Sequence, residues 1–317
     1  MNIKNIHSTC LEIKENINTV IIGKSSTIDL ILTSILAGGH VLLEDTPGTG
    51  KTIMAKALAK SIDGNFNRIQ FTPDLLPSDI TGLNIFNVKE SEFNFVEGPI
   101  FTNILLADEI NRATPRTQSS LLEAMEEKQV TIDGETRTLD KPFLVIATEN
   151  PIENSGTFPL PEAQLDRFMM KLSLGYPTFD EEVNIINRFI LNDPLAEILP
   201  ICSKERILEM QNLVKEVFIH DDIKKYIVEI VQATRNNSNI SLGVSPRGTL
   251  ALLRACQSLA AVKGRNYVIP DDIKTLASPI LAHRIISTNG LNNSYKNTKL
   301  INNIISDISV PTESWEK

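Results

Sequence analysis

The run Asp45-Thr46-Pro47-Gly48-Thr49-Gly50-Lys51-Thr52 sets glycines, a lysine and a hydroxyl residue between an apolar stretch at 41–44 and a helical pattern from Ile53. Strand, glycine loop and helix in that order make a phosphate-binding loop. Gly48 and Gly50 let backbone amides turn toward a phosphate, and the helix N-terminus adds its positive dipole. Lys51 is suited to reach the β- and γ-phosphates, and the Thr52 hydroxyl to hold Mg2+. Pro47, Thr49 and Ile53 complete the candidate nucleotide-binding set. One position departs from the G-x-x-x-x-G-K-T pattern: its first glycine is Asp45 here. A carboxylate beside a triphosphate is unfavourable unless it points away.

A second apolar run, 104–107, delivers Asp108 and Glu109. Asp108 is a candidate Mg2+ ligand through water, and Glu109 a candidate for orienting or polarising the attacking water. Asp108 alternatively caps the next helix. A third run, 143–148, leads to Glu149 and Asn150. The Asn150 amide suits the attacking water or the γ-phosphate, or else an Asx turn before Pro151. Arg167, in Leu165-Asp166-Arg167-Phe168, and Arg247, in Ser245-Pro246-Arg247-Gly248, are cations whose pattern alone does not lift them above surface salt bridges.

These residues need a scaffold. Up to about residue 175, short apolar runs alternate with helical patterns, as in a parallel sheet with crossover helices. Ligand chemistry in such sheets sits at the carboxyl ends of the strands, where the candidates above fall. Residues 130–137 alternate on both sides of Asp133-Gly134, predicting a β-hairpin. Beyond Gly175-Tyr176-Pro177 helical periodicity takes over, as in Ile207, Met210, Val214 and Val217. The expected division is an α/β core over 1–175 and a helical domain over 176–317, with a further helix starting near Pro270.

The chain's 317 residues, 42% hydrophobic, suffice for a substantial core. Its formal charge of −8 disfavours nonspecific binding of nucleic acid. Cys10, Cys202 and Cys256 lie far apart, and neither they nor the four histidines have the spacing of a metal site or disulfide framework. No apolar signal core opens the sequence and no run nears the ~20 residues that cross a bilayer. The expectation is a cytoplasmic protein without membrane insertion.

The residues resemble those of an AAA+ ATPase of the MoxR family. Beyond Pro47-Gly48-Thr49-Gly50-Lys51-Thr52, the resemblance is carried by Phe71-Thr72-Pro73-Asp74-Leu75-Leu76-Pro77-Ser78-Asp79-Ile80-Thr81-Gly82 and Gly98-Pro99-Ile100-Phe101. It continues through Ala107-Asp108-Glu109-Ile110-Asn111-Arg112-Ala113, then Gln118-Ser119-Ser120-Leu121-Leu122-Glu123-Ala124-Met125, and Leu160-Pro161-Glu162-Ala163-Gln164-Leu165-Asp166-Arg167-Phe168. It runs in order from about Ile21 to the end of the lid, covering nearly the whole chain.

The resemblance implies an α/β P-loop core with a parallel sheet and flanking helices, followed by a small all-α lid. ATP with Mg2+ lies between them, and neighbouring subunits close a ring, usually a hexamer. It implies that Lys51 and Thr52 serve phosphates and metal, that Asp108 and Glu109 are the Walker B pair, and that Asn150 is sensor 1. Arg167 becomes the arginine finger reaching the next subunit's ATP, and Arg247 the sensor 2 residue that couples lid angle to the γ-phosphate. Ile22 and Gly23, in Ile21-Ile22-Gly23, resemble the segment lining the adenine, although such residues also pack helix ends. The region 95–101 and the 130–139 hairpin correspond to inserts displayed on the ring surface. Glu149 stands where the family usually has Gln.

The function implied is ATP hydrolysis driving chaperone-like remodelling, assembly or activation of partner proteins, possible outcomes including metal-cofactor insertion. Partners bearing a von Willebrand factor type A domain are typical. Two alternatives stay open. One is a nucleic-acid motor of the helix-insert AAA+ group, disfavoured by the acidic charge and the absence of a long Lys/Arg run. The other is a nucleotide-gated binding module with little turnover, motivated by Asp45 and Glu149.

Overall fold

A five-stranded parallel sheet carries the N-terminal half of the chain. The computed structural model describes residues 3–150, 156–190, 194–288 and 294–311. In sequence order the sheet strands are Val41–Glu44, Phe66–Gln70, Ile104–Asp108, Leu144–Glu149 and Met170–Leu172. Their spatial order runs Phe66–Gln70, Ile104–Asp108, Leu144–Glu149, Val41–Glu44, Met170–Leu172. Residues 41–43, 104–107 and 144–148 are buried, as expected of strands covered on both faces.

Register aligns the strand ends that matter. Glu44 pairs with Glu149, Ala107 with Ala147, and Gln70 with Asp108, so the carboxyl ends of four strands form one edge. The helix Lys51–Ser61 leaves the first strand through Gly50, whose φ of 89° is left-handed and suits glycine. The helix Pro115–Glu127 packs on the other face through Leu121, Leu122 and Met125. Its end is tied to the sheet by His40, which is buried and bridges the Met125 carbonyl (3.0 Å) and the Val145 amide (3.0 Å). The amide must donate, so Nδ1 is the acceptor and Nε2 carries the proton. Burial pushes this imidazole down from 6.5 to about 4, so it is neutral near pH 7.

Two antiparallel hairpins project from this core. One is the expected hairpin, Gln129–Ile132 with Glu135–Thr138. The other, Gly82–Asn87 with Glu92–Glu97, has no counterpart in the sequence reading. Its apolar residues sit on both faces and stay exposed (Leu83, Ile85, Phe86, Phe93 and Val96), so no half-buried alternation marks it. The hairpins touch where Asn84 donates to Asp133 (2.7 Å) and the Arg137 guanidinium stacks 4.0 Å from the Phe95 ring centroid.

The C-terminal region is a helical lid with one short antiparallel ribbon, Ile240–Leu242 with Ile286–Ser287, that helical periodicity did not foretell. The expected helix at Pro270 runs to Leu281. The helix Pro246–Val262 begins at Ser245, whose hydroxyl accepts from the Gly248 amide (3.3 Å). The opening helix, Ile3–Asn18, buries Ile6, Cys10, Ile13 and Ile17 along one stripe. His7 bonds the Val262 carbonyl (2.7 Å), so this helix lies against the lid as well as the core. A continuous apolar cluster therefore runs from Ile6 through Val41 and Leu106 to Leu276 and Ile301.

Candidate nucleotide-binding site

Pro47, Gly48, Gly50, Lys51, Thr52, Ile53, Asp108, Glu109 and Asn150 line one cavity of about 370 Å³, joined by Arg68 and Gln70. The glycine loop and the ends of the strands Ile104–Asp108 and Leu144–Glu149, singled out in the sequence, thus converge, and the strand Phe66–Gln70 joins them. Gly48 has φ 85°, and a Cβ built on it meets nothing within 4 Å. The loop backbone is therefore open to an incoming phosphate, and the left-handed angle penalises any other residue. Lys51 folds back onto the carbonyls of Asp45 (2.9 Å) and Thr46 (3.3 Å), within the loop it has to serve.

Asp45 turns its side chain away from this cavity. The carboxylate accepts from the Leu174 amide (2.6 Å), the Gly175 amide (3.0 Å) and the Ser173 hydroxyl (2.7 Å). Three donors hold a buried charge on the far side of the loop, which removes the expected conflict with phosphate. Glu149 is also directed elsewhere: it lies beside Lys171 (3.8 Å) and near Glu44. Burial pushes the Glu149 carboxyl up, Lys171 pulls it down, and Glu44 adds to the rise.

Asp108 receives Thr148 Oγ1 at 2.6 Å and the Arg68 guanidinium at 2.7 Å. Thr52 and Asp108 line the same cavity, a hydroxyl and a carboxylate oxygen of the hard type Mg2+ takes alongside phosphate and water. Glu109 sits at φ 57°, ψ 51°, a strained setting for a residue that is not glycine. Its amide donates to Thr148 (2.8 Å), and its carboxylate accepts from Gln70 (3.0 Å) and Arg112 (3.0 Å). Asn150 is buried beside it; Pro151, needed for the alternative Asx turn, lies outside the described residues. Arg68, Gln70 and Thr148 were missed in sequence. Gln70 and Arg68 belong to an edge strand in which Ile69 alone is buried, so no apolar run announced it.

A second cavity of about 280 Å³ adjoins the first and shares Gly48, Gly50 and Ile53 with it. Val20, Ile21, Ile22, Thr49, Ile185 and Phe189 make it mostly apolar, suited to a planar base. Ile22 lines it; Gly23 lies next in the chain at φ 75°, where an added Cβ would strike the Glu181 carboxylate. The helix Phe179–Phe189 closes one side, and its Arg188 donates to the Thr19 carbonyl (2.5 Å).

Arg167 and Arg247 line neither cavity. Arg167 donates to the Leu122 carbonyl (3.2 Å) and pairs with Glu126, and Arg247 pairs with the same carboxylate. Both face a separate cleft of about 500 Å³ with Lys128, Arg254 and Arg284. Arg247, expected to couple lid angle to the γ-phosphate, thus stands apart from the phosphate cavity of its own subunit. The lid helix that carries it is capped by Ser245, and Ser245 is bonded to Asp166 (2.9 Å) beside Arg167. Among the described residues no cluster of three or more His, Cys, Asp or Glu forms a metal site, and no helix is long and apolar enough to cross a membrane.

Comparison with known proteins agrees with this geometry. Residues 40–170 match the family model of the ATPase family associated with various cellular activities (AAA), and residues 232–304 match the AAA lid domain. The chain is 53% identical over 283 residues to the uncharacterized protein YeaC of Bacillus subtilis, covering 89% of this chain and 88% of that one. It is 41% identical to the chaperone MoxR1 of Mycobacterium tuberculosis (93% of this chain, 80% of that one) and 30% identical to MoxR of Paracoccus denitrificans (90% of each). A crystal structure from Cytophaga hutchinsonii, 40% identical, superposes with a TM-score of 0.88 over 97% of this chain and 96% of that one. A parallel sheet with P-loop and paired acidic strand end, a helical lid and these relatives together make the chain a member of the MoxR family of AAA+ ATPases.

Proposed function

We propose that the protein hydrolyses ATP with Mg2+ in a homo-oligomeric ring and uses the cycle to remodel, assemble or activate partner proteins. The observation that carries the reading is the convergence of the phosphate loop, Asp108, Glu109 and Asn150 on one cavity that opens into an apolar one. In this reading the base lies against Ile22 and Phe189, and the phosphates lie over Gly48 and Gly50. Lys51 swings from its loop carbonyls to the β- and γ-phosphates. Thr52 and Asp108 would hold Mg2+, which when bound would supply positive charge against the transferring phosphoryl group. Glu109 orients the attacking water, with Asn150 fixing its far side.

Arg167 and Arg247 serve the neighbouring subunit's nucleotide together, because both stand on a cleft apart from their own subunit's phosphate cavity. Such arginines contribute on the order of 10³–10⁵ in rate, so an isolated subunit is a poor ATPase. The ring is taken as a hexamer. The α/β core over 1–175 and the lid over 176–317 are taken as the working units, acting in the cytoplasm. The client is a protein, and a partner with a von Willebrand factor type A domain is the expected class. Exposed Phe86, Val88 and Phe93 on the 82–97 hairpin offer it an apolar contact. The outward-turned carboxylate of Asp45 supports turnover over the gated-module alternative.

The test is steady-state Mg2+-dependent ATP hydrolysis with Glu109→Gln and Lys51→Ala. Loss of hydrolysis with retained ATP binding is expected for Glu109→Gln, and loss of binding for Lys51→Ala. Full turnover in either variant overturns the assignment.

A further inference from the structure

The buried Arg284 reaches from the lid into the core segment that carries Arg167. Its Nε donates to Asp166 Oδ1 (2.7 Å), and its Nη2 donates to the carbonyls of Phe168 (2.6 Å) and Asp166 (3.1 Å). Nη1 donates to the Met169 carbonyl (3.2 Å) and, at its back, to the Ile280 carbonyl within the lid. The other oxygen of Asp166 accepts from Ser245 Oγ (2.9 Å), the cap of the helix that begins with Pro246 and Arg247. Gly248 completes the fit, since a Cβ there would meet Arg284 Cδ at 2.9 Å.

Arg284 thus has the character of a fixed strut, and its two neighbours that of working groups. Its guanidinium is almost wholly buried and its donors are spent on protein acceptors, whereas the side chains of Arg167 and Arg247 are 31% and 47% exposed. Asp166 touches both the strut and the cap beside Arg247, and it is the chain neighbour of Arg167. A buried guanidinium–carboxylate pair with several further hydrogen bonds is geometrically stiff, because losing one partner leaves the other charged and unpaired.

We propose that Asp166 and Arg284 are positioning residues that lock Arg167 and Arg247 into one rigid two-arginine unit, so that lid and core present both cations to the neighbouring subunit's phosphates in a single register. The inference rests on the reading that Arg167 acts on the neighbour's nucleotide. Asp166 and Arg284 line neither nucleotide cavity of their own subunit and sit at the cleft that Arg167 and Arg247 face, but with the Arg284 donors spent on protein acceptors and Asp166 held by Arg284 and Ser245, both act through the arginines. A displacement of the arginines by about 1 Å costs on the order of 10²-fold in rate.

The experiment uses the full chain carrying Asp166→Asn, which keeps the shape and removes the charge, and in parallel Ser245→Ala, which cuts only the bond to the lid helix. Each is assayed alone and mixed with an excess of Glu109→Gln subunits, which have intact arginines but no hydrolysis of their own. Arg167→Ala is mixed in the same way as reference. The expected result is a fall of about 10²-fold for Asp166→Asn alone, a smaller fall for Ser245→Ala, unchanged affinity for a fluorescent ATP analogue, and recovery of turnover in both mixtures. A variant that had merely unfolded would neither bind nucleotide nor recover. Recovery of Arg167→Ala without recovery of Asp166→Asn, or full activity of Asp166→Asn alone, overturns the positioning role and leaves the ring reading standing. Failure of Arg167→Ala itself to recover overturns the ring reading, and the positioning role with it.

Discussion

The carboxylate of Asp45 accepts the backbone amide of Leu174 at 2.6 Å, joining the start of the phosphate loop to the chain just beyond the last sheet strand. Where the usual loop has a glycine, this chain has a brace between two strand ends. The brace predicts its own test. Asp45→Ala leaves the Leu174 amide buried without its acceptor and lowers unfolding free energy by about 2–3 kcal/mol, measured by urea titration. ATP affinity changes by less than about tenfold, since the removed charge faces away from the phosphates. Much tighter ATP binding with no loss of stability would place the carboxylate beside the nucleotide instead.

His40 makes stability depend on pH. Its folded-state value is depressed to about 4 from 6.5 by burial, so the neutral ring stabilises the fold above 6.5. That contribution is lost as pH falls from 6.5 through about 4, amounting to about 3 kcal/mol over the whole window. His283, lowered by burial and by Arg284, acts in the same direction. Denaturation midpoints across this range check the slope. His40→Asn is less stable at pH 7 and declines less steeply on acidification; an unchanged slope would exclude His40 as its source.

Glu149 works with the opposite sign. Burial raises its carboxyl above the ordinary value, so its charged form costs stability as pH rises through the folded-state value. Glu149→Gln therefore raises Tm at pH 7–8, with the gain vanishing where Glu149 is protonated. A lower Tm for the variant at pH 8 would mean that the Lys171 pair outweighs burial.

Arg247 separates two placements of the lid. If it served its own nucleotide, Arg247→Ala would weaken ATP binding by the protomer. Placed on Glu126 with Arg167, it should leave that affinity within about twofold and lower turnover by on the order of 10²-fold or more. Equilibrium binding of an ATP analogue beside steady-state turnover distinguishes them.

Much of the site was legible because its chemistry is local in sequence. The glycine loop, Asp108-Glu109 and Asn150 each follow an apolar run, and register alone carries them to one edge. The helix at Pro270 and the 130–137 hairpin were legible for the same reason, through a cap and an Asp-Gly turn. The residues that escaped notice act across distance. Gln70 meets Glu109 and Arg68 meets Asp108 from a strand whose exposed edge gives no hydrophobic signal, and the 82–97 hairpin is apolar on both faces. The outward turn of Asp45 depends on amides 129 and 130 residues later in the chain. The placement of Arg247 on Glu126 was not legible because no motif records which face of the lid the helix from Pro246 presents; Ser245 and Asp166 decide that in three dimensions.

In the proposed mechanism catalysis needs a neighbouring subunit. Its most direct test is Mg2+-dependent ATP hydrolysis per subunit across a protein concentration series, for the native chain and Arg167→Ala. Turnover per subunit is expected to rise with concentration to a plateau in the native chain, with Arg167→Ala lower by about 10³-fold or more at that plateau while still binding ATP. Turnover per subunit that is independent of concentration down to the monomer, with Arg167→Ala fully active, would contradict it.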